Sequence, residues 1–325
     1  MNSAGEQSLE GEREQRPRRR RSSRRRREFH PGAVFLVDKP SGPTSHDVVS
    51  QIRRWTGLRR VGHGGTLDPL ATGLLPVFVG VATRLNEYLS PYRKSYQATV
   101  LLGTSTDTDD GEGEVISCAP VPELSAQQID SALEAFRGQI SQTPPRFSAV
   151  KRDGVAAHRA ARAGEPLELE PREVTVHELT LTAVDLPQVE LSMTVSTGTY
   201  VRAIARDLGD ALGIGGHVLA MRRTAIGAVA AQDGHTLTTL AEAAERDEIW
   251  SCSRSPAALF EDWPQFRLEG EQLMRVRRGQ AIRHRPVPGQ SRAMALDGDG
   301  HVVAVLRHDR LAVGRWEPEK VLAGS

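Results

Sequence analysis

One stretch limits what this chain can fold into more than any other. It reads Gly62-His63-Gly64-Gly65-Thr66-Leu67-Asp68-Pro69-Leu70-Ala71-Thr72-Gly73. Its four glycines open positive φ to the backbone and let main chain come close to a ligand. Pro69 biases Asp68 away from the α region, so the only carboxylate of the stretch sits on an extended or turn segment. A loop built this way can present a single acid to something bulky. It can also be a glycine-rich turn with a surface aspartate, and spacing alone leaves both readings open.

The flanking segments predict the scaffold. Residues 33–37 read as a buried strand, followed by a turn at Lys39-Pro40-Ser41-Gly42. Ser45 is expected to cap a helix that carries Val48, Val49, Ile52 and Trp55 and ends near Gly57. Residues 74–79 read as a second strand and 96–102 alternate as a third. A polar loop follows at 107–113. A helix over 125–136 is predicted from Ile129, Leu133 and Phe136. Residues 139–164 are loop-rich and basic. Strands are expected near 174–184 and 189–195, then a helix over 201–212. Strands and helices do not alternate regularly, which predicts an α+β fold with a mixed, mainly antiparallel sheet and flanking helices.

Residues 232–263 read as a connecting helical segment. Beyond Phe266 the chain changes character: short apolar runs at 293–296 and 302–306 flank Asp297-Gly298-Asp299-Gly300, a hairpin signal. The expected organisation is a tail over 1–28, a main domain over 29–262 and a small β-rich domain over 263–325.

Charge is unevenly placed. The chain carries +1 overall, but residues 1–28 hold ten arginines against five glutamates, a net of +5, which leaves −4 for the rest. The arginine block at 18–27 cannot bury a core and is predicted to be disordered. Hydrophobic content of 38% with no run of membrane-spanning length argues against a membrane protein. No secretory h-region is visible near the start. Two cysteines, Cys118 and Cys252, lack metal-ligand spacing, so free thiols and a cytoplasmic location are expected. The loop lacks a Gly-Lys-Ser/Thr ending, which excludes a P-loop. The nearby acids Asp38 and Asp47 lack the setting of Asp68, so the paired carboxylates of a glycosidase are not indicated.

The loop resembles the catalytic loop of the TruB family, the tRNA pseudouridine-55 synthases, whose pattern is Gly-His-x-Gly-x-Leu-Asp-Pro-x-Ala-x-Gly. Further stretches fall in family order: Val37-Asp38-Lys39-Pro40-Ser41-Gly42, Lys94-Ser95-Tyr96, Phe136-Arg137-Gly138, Pro145-Arg146-Phe147-Ser148-Ala149-Val150-Lys151, Gly198-Thr199-Tyr200-Val201-Arg202 and Gly216-His217-Val218-Leu219-Ala220-Met221-Arg222-Arg223. The resemblance spans roughly residues 30–265. It implies isomerisation of a uridine in the T-loop of tRNA, reached by base flipping. The reaction breaks C1′–N1, turns the base and joins C1′ to C5. No redox change or phosphate energy is involved, so no cofactor and no metal are expected.

The same resemblance assigns roles. Asp68 is the essential carboxylate, either attacking C1′ or acting as a base at the 2′ position. Arg202 pairs with it and keeps it ionised and aimed, and Tyr96 stacks on the base and assists proton removal. Tyr200 is a second substrate contact. His63 takes the place of the flipped base, Met221 provides an apolar contact where many relatives have leucine, and Lys39, in the motif supporting the loop, either binds substrate or has a purely structural role. Arg222 and Arg223 either hold phosphates or form a surface pair. Residues 142–164 resemble a thumb that closes over the RNA, rich in Arg146, Lys151, Arg152, Arg159 and Arg162. His158 stands there where relatives often have tyrosine. The C-terminal domain resembles a PUA-like RNA-binding module, or is a β extension that only packs on the body. The arginine tail is either an electrostatic arm for RNA or a solvated tail. With a near-neutral body, RNA binding must come from local basic patches. A monomer is expected, since no heptad is evident. The rival readings are a noncatalytic tRNA-binding or tRNA-folding protein and an RNA-guided relative. The intact Asp68, Tyr96 and Arg202 argue against the first, and the thumb and single-protein layout against the second.

Overall fold

Runs of β-branched and apolar residues broken by glycine- and proline-bearing turns give this chain its sheets. The computed structural model describes residues 32–148, 150–152, 155–165, 167–309 and 311–322, and leaves the side chains at 151, 152, 155, 156, 158 and 162 undescribed. The predicted tail therefore lies outside the described residues, as do the His158 and Arg162 side chains of the predicted thumb.

The main sheet has ten strands. Along its principal path they run His235–Thr236, Ala33–Lys39, Thr72–Val79, Gly216–Ile226, Lys94–Leu102, Gln188–Val195, Arg172–Asp185 and Gly138–Gln142. The neighbours are antiparallel except at two joints: Ala33–Lys39 with His235–Thr236, and Thr72–Val79 with Gly216–Ile226. The expected mixed, mainly antiparallel sheet is what forms. The second parallel joint matters most. It pairs Thr72 with Arg222 and Gly73 with Arg223, so the glycine-rich loop feeds into the middle of the sheet.

Helix Ser45–Thr56 packs Val48, Val49 and Ile52 against this sheet. Its cap differs from expectation by one residue. Thr44 has the extended backbone a cap needs and forms a capping box with Asp47. That frees Ser45, which is buried and bonds into the glycine-rich loop instead. Asp47 is thereby a capping residue. Helix Val201–Ala211 lies against the Gly216–Ile226 strand and buries Val201, Ala203, Ile204, Ala205 and Leu208. Helix Ala126–Leu133 ends in a 3-10 turn at Glu134–Phe136, as the apolar spacing predicts.

The segment from 265 to 321 forms a separate five-stranded sheet, ordered Gln265–Arg267, Arg292–Leu296, Val302–His308, Arg315–Val321 and Ile282–Arg283, with helix Gly270–Arg277 against it. The predicted hairpin is present. Asp297 Oδ1 accepts from His301 N, and Gly300 adopts φ +83° in the turn. Phe266, Leu268, Val276, Leu306 and Trp316 form this sheet's own core. Met294, Leu296, Val302, Val305 and Leu322 instead share a cluster with Val34, Leu36, Phe78 and Phe260 of the body. Among the described residues no helix is long and apolar enough to cross a membrane.

Candidate active site

The glycine-rich loop is irregular backbone, and buried cations hold it in shape. Lys39 is fully buried, and its ammonium donates to the carbonyls of Pro40 and Pro43 at 2.8 Å and of Pro69 at 3.0 Å. Three donors on three acceptors satisfy the group that burial would otherwise penalise. Burial still lowers the Lys39 pKa to about 8, against the opposing pull of Glu112 and Asp68. Arg223 is 2% exposed and reaches the loop from the neighbouring strand. It donates to the carbonyls of Leu74 at 2.8 Å, Gly65 at 3.0 Å and Thr66 at 3.3 Å. Ser45 closes the set, donating to Leu67 O at 3.0 Å and accepting from Leu67 N at 2.8 Å. Gly73 has φ +98°, and a Cβ there would lie 2.2 Å from Arg223 O, so only glycine fits where the loop enters the sheet.

Lys39, open to substrate contact or to a purely structural role, spends every one of its donors on backbone beneath the loop, which makes it a positioning residue. Arg222 and Arg223 are neither a surface pair nor free phosphate ligands. Arg223 is an internal brace, and Arg222 is forked onto Asp38 at 2.8 and 2.9 Å, which also accounts for Asp38.

Asp68 follows directly on this clamped backbone. Its Oδ2 lies 3.0 Å from Arg202 Nε, an ion pair by charge and distance in which the N–H is not aligned for a hydrogen bond. Arg202 is 4% exposed and comes from the first turn of helix Val201–Ala211. Its Nη1 pairs with Asp110 at 3.1 Å and donates to Thr108 O at 2.7 Å, and its Nη2 donates to Phe147 O at 2.9 Å. One guanidinium thus stands between two carboxylates. The Asp68 side chain keeps 34% of its surface accessible, yet its surroundings strip away enough water that burial is the largest influence on it. Burial pushes the Asp68 carboxyl above its ordinary value, assisted by Asp110 and opposed by Arg202 and Lys39.

Tyr200 caps that same helix, and its backbone is gripped by the buried amide of Gln142: Tyr200 N donates to Gln142 Oε1 at 2.8 Å, and Gln142 Nε2 donates to Tyr200 O at 3.1 Å. Burial raises the Tyr200 pKa, with a hydrogen bond from Ser148 opposing and the Asp68 charge adding to the rise. Tyr96 is partly buried on strand Lys94–Leu102, opposite Met193 on one side and Arg223 on the other. Next to it Lys94 donates to Thr197 Oγ1 and Ser90 O, both at 2.6 Å, tying this strand to the turn before Tyr200. Met221 is buried in the main core and pairs with Ala98. Neither Tyr96 nor Met221 is bonded to Asp68 among the described residues. His63 ends a short strand beside Val77. Burial and the nearby Arg223 lower its pKa, and its buried Nδ1 has no hydrogen-bond partner among the described residues.

The sequence reading missed Asp110, Gln142, Ser45 and the bracing role of Arg223. The acidic run at 107–110 was a usable signal for the first; nothing local marks Gln142. Among the described residues, Asp297, Asp299 and His301 are the group close enough to share a metal ion. They sit on the hairpin turn of the second sheet, where Asp297 is already engaged by the His301 backbone.

The comparisons place this fold in a class, the pseudouridine synthases. The chain belongs to the TruB family of pseudouridylate synthases: the family's N-terminal domain model matches residues 53–201, and the tRNA pseudouridylate synthase B C-terminal domain model matches residues 202–253. The second sheet lies beyond both matches. The chain is 45% identical over 302 residues to the tRNA pseudouridine synthase B of Thermobifida fusca (strain YX), covering 90% of this chain and 99% of the relative. It is 41% identical over 283 residues to the protein of the same name from Mycobacterium tuberculosis (strain ATCC 25618 / H37Rv), covering 86% and 92%. Among solved structures it is similar to a chain of a Cbf5-Nop10-Gar1 complex, with TM-score 0.68 and 25% identity over 90% of this chain and 85% of that one.

Proposed function

We propose that this chain isomerises uridine to pseudouridine at position 55 in the T-loop of tRNA, with Asp68 as the catalytic carboxylate. The relatives at 41–45% identity are named for pseudouridine formation in tRNA, and the T-loop site follows from the motif resemblance. The observation that carries the reading is the pair of Asp68 and Arg202 at 3.0 Å on an accessible, backbone-clamped loop.

Each step gives a group a task. The target uridine leaves its stack at a cost of a few kcal/mol. His63, held neutral by its lowered pKa, fills the vacated space. Tyr96 stacks on the base, worth about 1–3 kcal/mol, and Met221 and Tyr200 border it. The C1′–N1 bond then breaks, the uracil turns, and C5 joins C1′. The C5 proton leaves with help from Tyr96, N1 takes up a proton, and any bond from Asp68 to C1′ breaks as C5 joins, so the atoms balance without any oxidant or co-substrate. Asp68 either bonds C1′ or takes the 2′ proton, and both routes need it ionised. Arg202 supplies the charge that opposes desolvation.

Residues 29–262 form the catalytic domain in this reading, with residues 139–164 as a thumb on the RNA. Residues 263–325 act as a PUA-like module and residues 1–28 as a basic tail. The protein works as a monomer on the tRNA T-arm, in the cytoplasm, without cofactor. A stand-alone enzyme is favoured over an RNA-guided one because the relatives named as tRNA enzymes are far more similar than the Cbf5 chain.

The test uses unmodified tRNA transcript, wild type and Asp68→Asn, with pseudouridine mapped by carbodiimide-dependent primer extension. A single T-loop stop with wild type, lost in the variant, is expected. No stop with wild type but retained tRNA binding would replace this reading with a tRNA-binding or tRNA-folding one.

A further inference from the structure

Helix Val201–Ala211 carries two arginines one turn apart, Arg202 and Arg206, on the same face. They make matching contacts. Arg202 joins Asp110 to the Phe147 carbonyl. Arg206 joins Asp109, at 3.0 Å, to the Thr143 carbonyl, at 2.9 Å. Each arginine thus ties the acidic loop at 107–113 to the segment just after strand Gly138–Gln142. The remaining Arg206 nitrogen, Nε, donates to Asp207 at 2.8 Å, so all three guanidinium nitrogens are engaged.

Asp109 shows what this contact sustains. Its φ is +60°, a left-handed conformation that a non-glycine residue keeps only where its surroundings hold it. Its side chain is largely buried, and its carbonyl accepts from Val218 N at 3.1 Å. The carbonyl of the preceding residue, Thr108, accepts from Arg202 Nη1. The turn fixed by Arg206 is therefore the turn that holds Arg202. On the other side, Thr143 adjoins Gln142, which grips the Tyr200 backbone.

We propose that Arg206 is a positioning residue for the isomerisation: by clasping Asp109 and the Thr143 carbonyl it fixes the two segments that aim Arg202 at Asp68. Arg206 contributes no atom to Asp68, and it acts through the Thr108–Asp110 turn and the 143–147 segment. The inference rests on the Asp68 reading above.

The test uses the full chain and tRNA transcript carrying tritium at C5 of uridine. Tritium release is measured in single turnover at saturating enzyme, beside Kd from filter binding and the melting midpoint. Misaiming a catalytic group by about 1 Å costs about 10²-fold, so Arg206→Gln is expected to lose that order in the saturated rate, with Kd within about three-fold. Arg206→Lys keeps the charge on Asp109 but lacks the fork to reach Thr143 as well, so it recovers part of the rate. Asp109→Asn is expected to follow Arg206→Gln, and it carries the test if Arg206→Gln does not fold. Saturated rates within about two-fold of wild type in Arg206→Gln and Asp109→Asn, with Asp68→Asn inactive, overturn the clasp and leave the Asp68 reading standing. A weakened Kd with an unchanged saturated rate also overturns it, since Arg206 would then serve binding. An active Asp68→Asn removes the reading beneath it.

Discussion

On Asp68 burial and charge pull against one another. Burial and Asp110 raise its carboxyl; Arg202 and Lys39 lower it, and the balance is upward. The sign has two consequences. The reaction needs the ionised form, so the saturated rate should fall on the acid side with a midpoint above the ordinary aspartate value of 3.8. Arg202→Met should move that midpoint higher still, and an unmoved acid limb would sink the role given to Arg202. For stability, the unfolded chain releases this proton more readily than the folded one. The Asp68 contribution is therefore lost as pH rises from the unfolded to the folded pKa, and at neutral pH the ionised group is a net cost. Asp68→Asn should abolish turnover without lowering the melting temperature at pH 7, and a clear drop would contradict this account. Asp68 and Arg202 were legible because each lies in a contiguous motif. Asp110 was not, because it meets Arg202 across 92 residues, and the sequence does not say which aspartate of an acidic run turns inward. The role of Lys39 stayed open for a similar reason: a lysine reads as a surface donor until three carbonyls are seen converging on it.

At the scale of elements, the irregular part of the loop, residues 64–71, is held by Lys39, Arg223 and Ser45, which arrive from three separate elements. The loop's sensitivity should follow the space around each glycine, not its presence in the motif. Gly73→Ala places a Cβ 2.2 Å from the Arg223 carbonyl at φ +98°. Both strands of the parallel joint would have to part, so a loss of about 2–4 kcal/mol is expected from urea melts, together with the loss of turnover. Gly62→Ala is the control. It meets nothing within 4 Å and has no positive φ, so its stability should stay within about 0.5 kcal/mol of wild type. Equal melts for the two variants would show that the loop is not braced as described. Most elements were readable from apolar spacing and turn residues. The helix cap slipped from Ser45 to Thr44 because adjacent hydroxyls offer the same chemistry and only the backbone angle decides between them. Strand order was beyond reach for a different reason: the joint of Thr72–Val79 with Gly216–Ile226 is set by burial across the whole sheet.

At the scale of the molecule, packing and charge divide the chain differently. The second sheet is not an appendage, because its Met294, Leu296, Val302, Val305 and Leu322 complete a cluster with Val34, Leu36, Phe78 and Phe260. A chain ending at residue 263 would expose that face, and it should melt lower and associate; an unchanged melt would show the cluster to be dispensable. Charge is another matter. Residues 29–263 hold 21 basic and 29 acidic residues, a net of −8, whereas residues 264–325 hold eleven and seven, a net of +4. Residues 1–28 add +5. A polyanion meeting this chain is repelled on average by the part that carries Asp68 and drawn to the two ends. Attraction of that kind is read through its salt dependence, since each phosphate neutralised steepens the fall of log K with log salt by about 0.7–0.9. Deleting residues 1–28 should therefore flatten the salt slope of tRNA binding and weaken affinity at low salt. The two proteins should converge as salt rises past the point where the Debye length shrinks to a few Å. The single-turnover rate at saturating enzyme should not change, because no residue of the Asp68 site lies in the deleted stretch. An identical slope with and without the tail would make it a solvated extension, and a slope change accompanied by a lower saturated rate would mean that the arginines also act after binding.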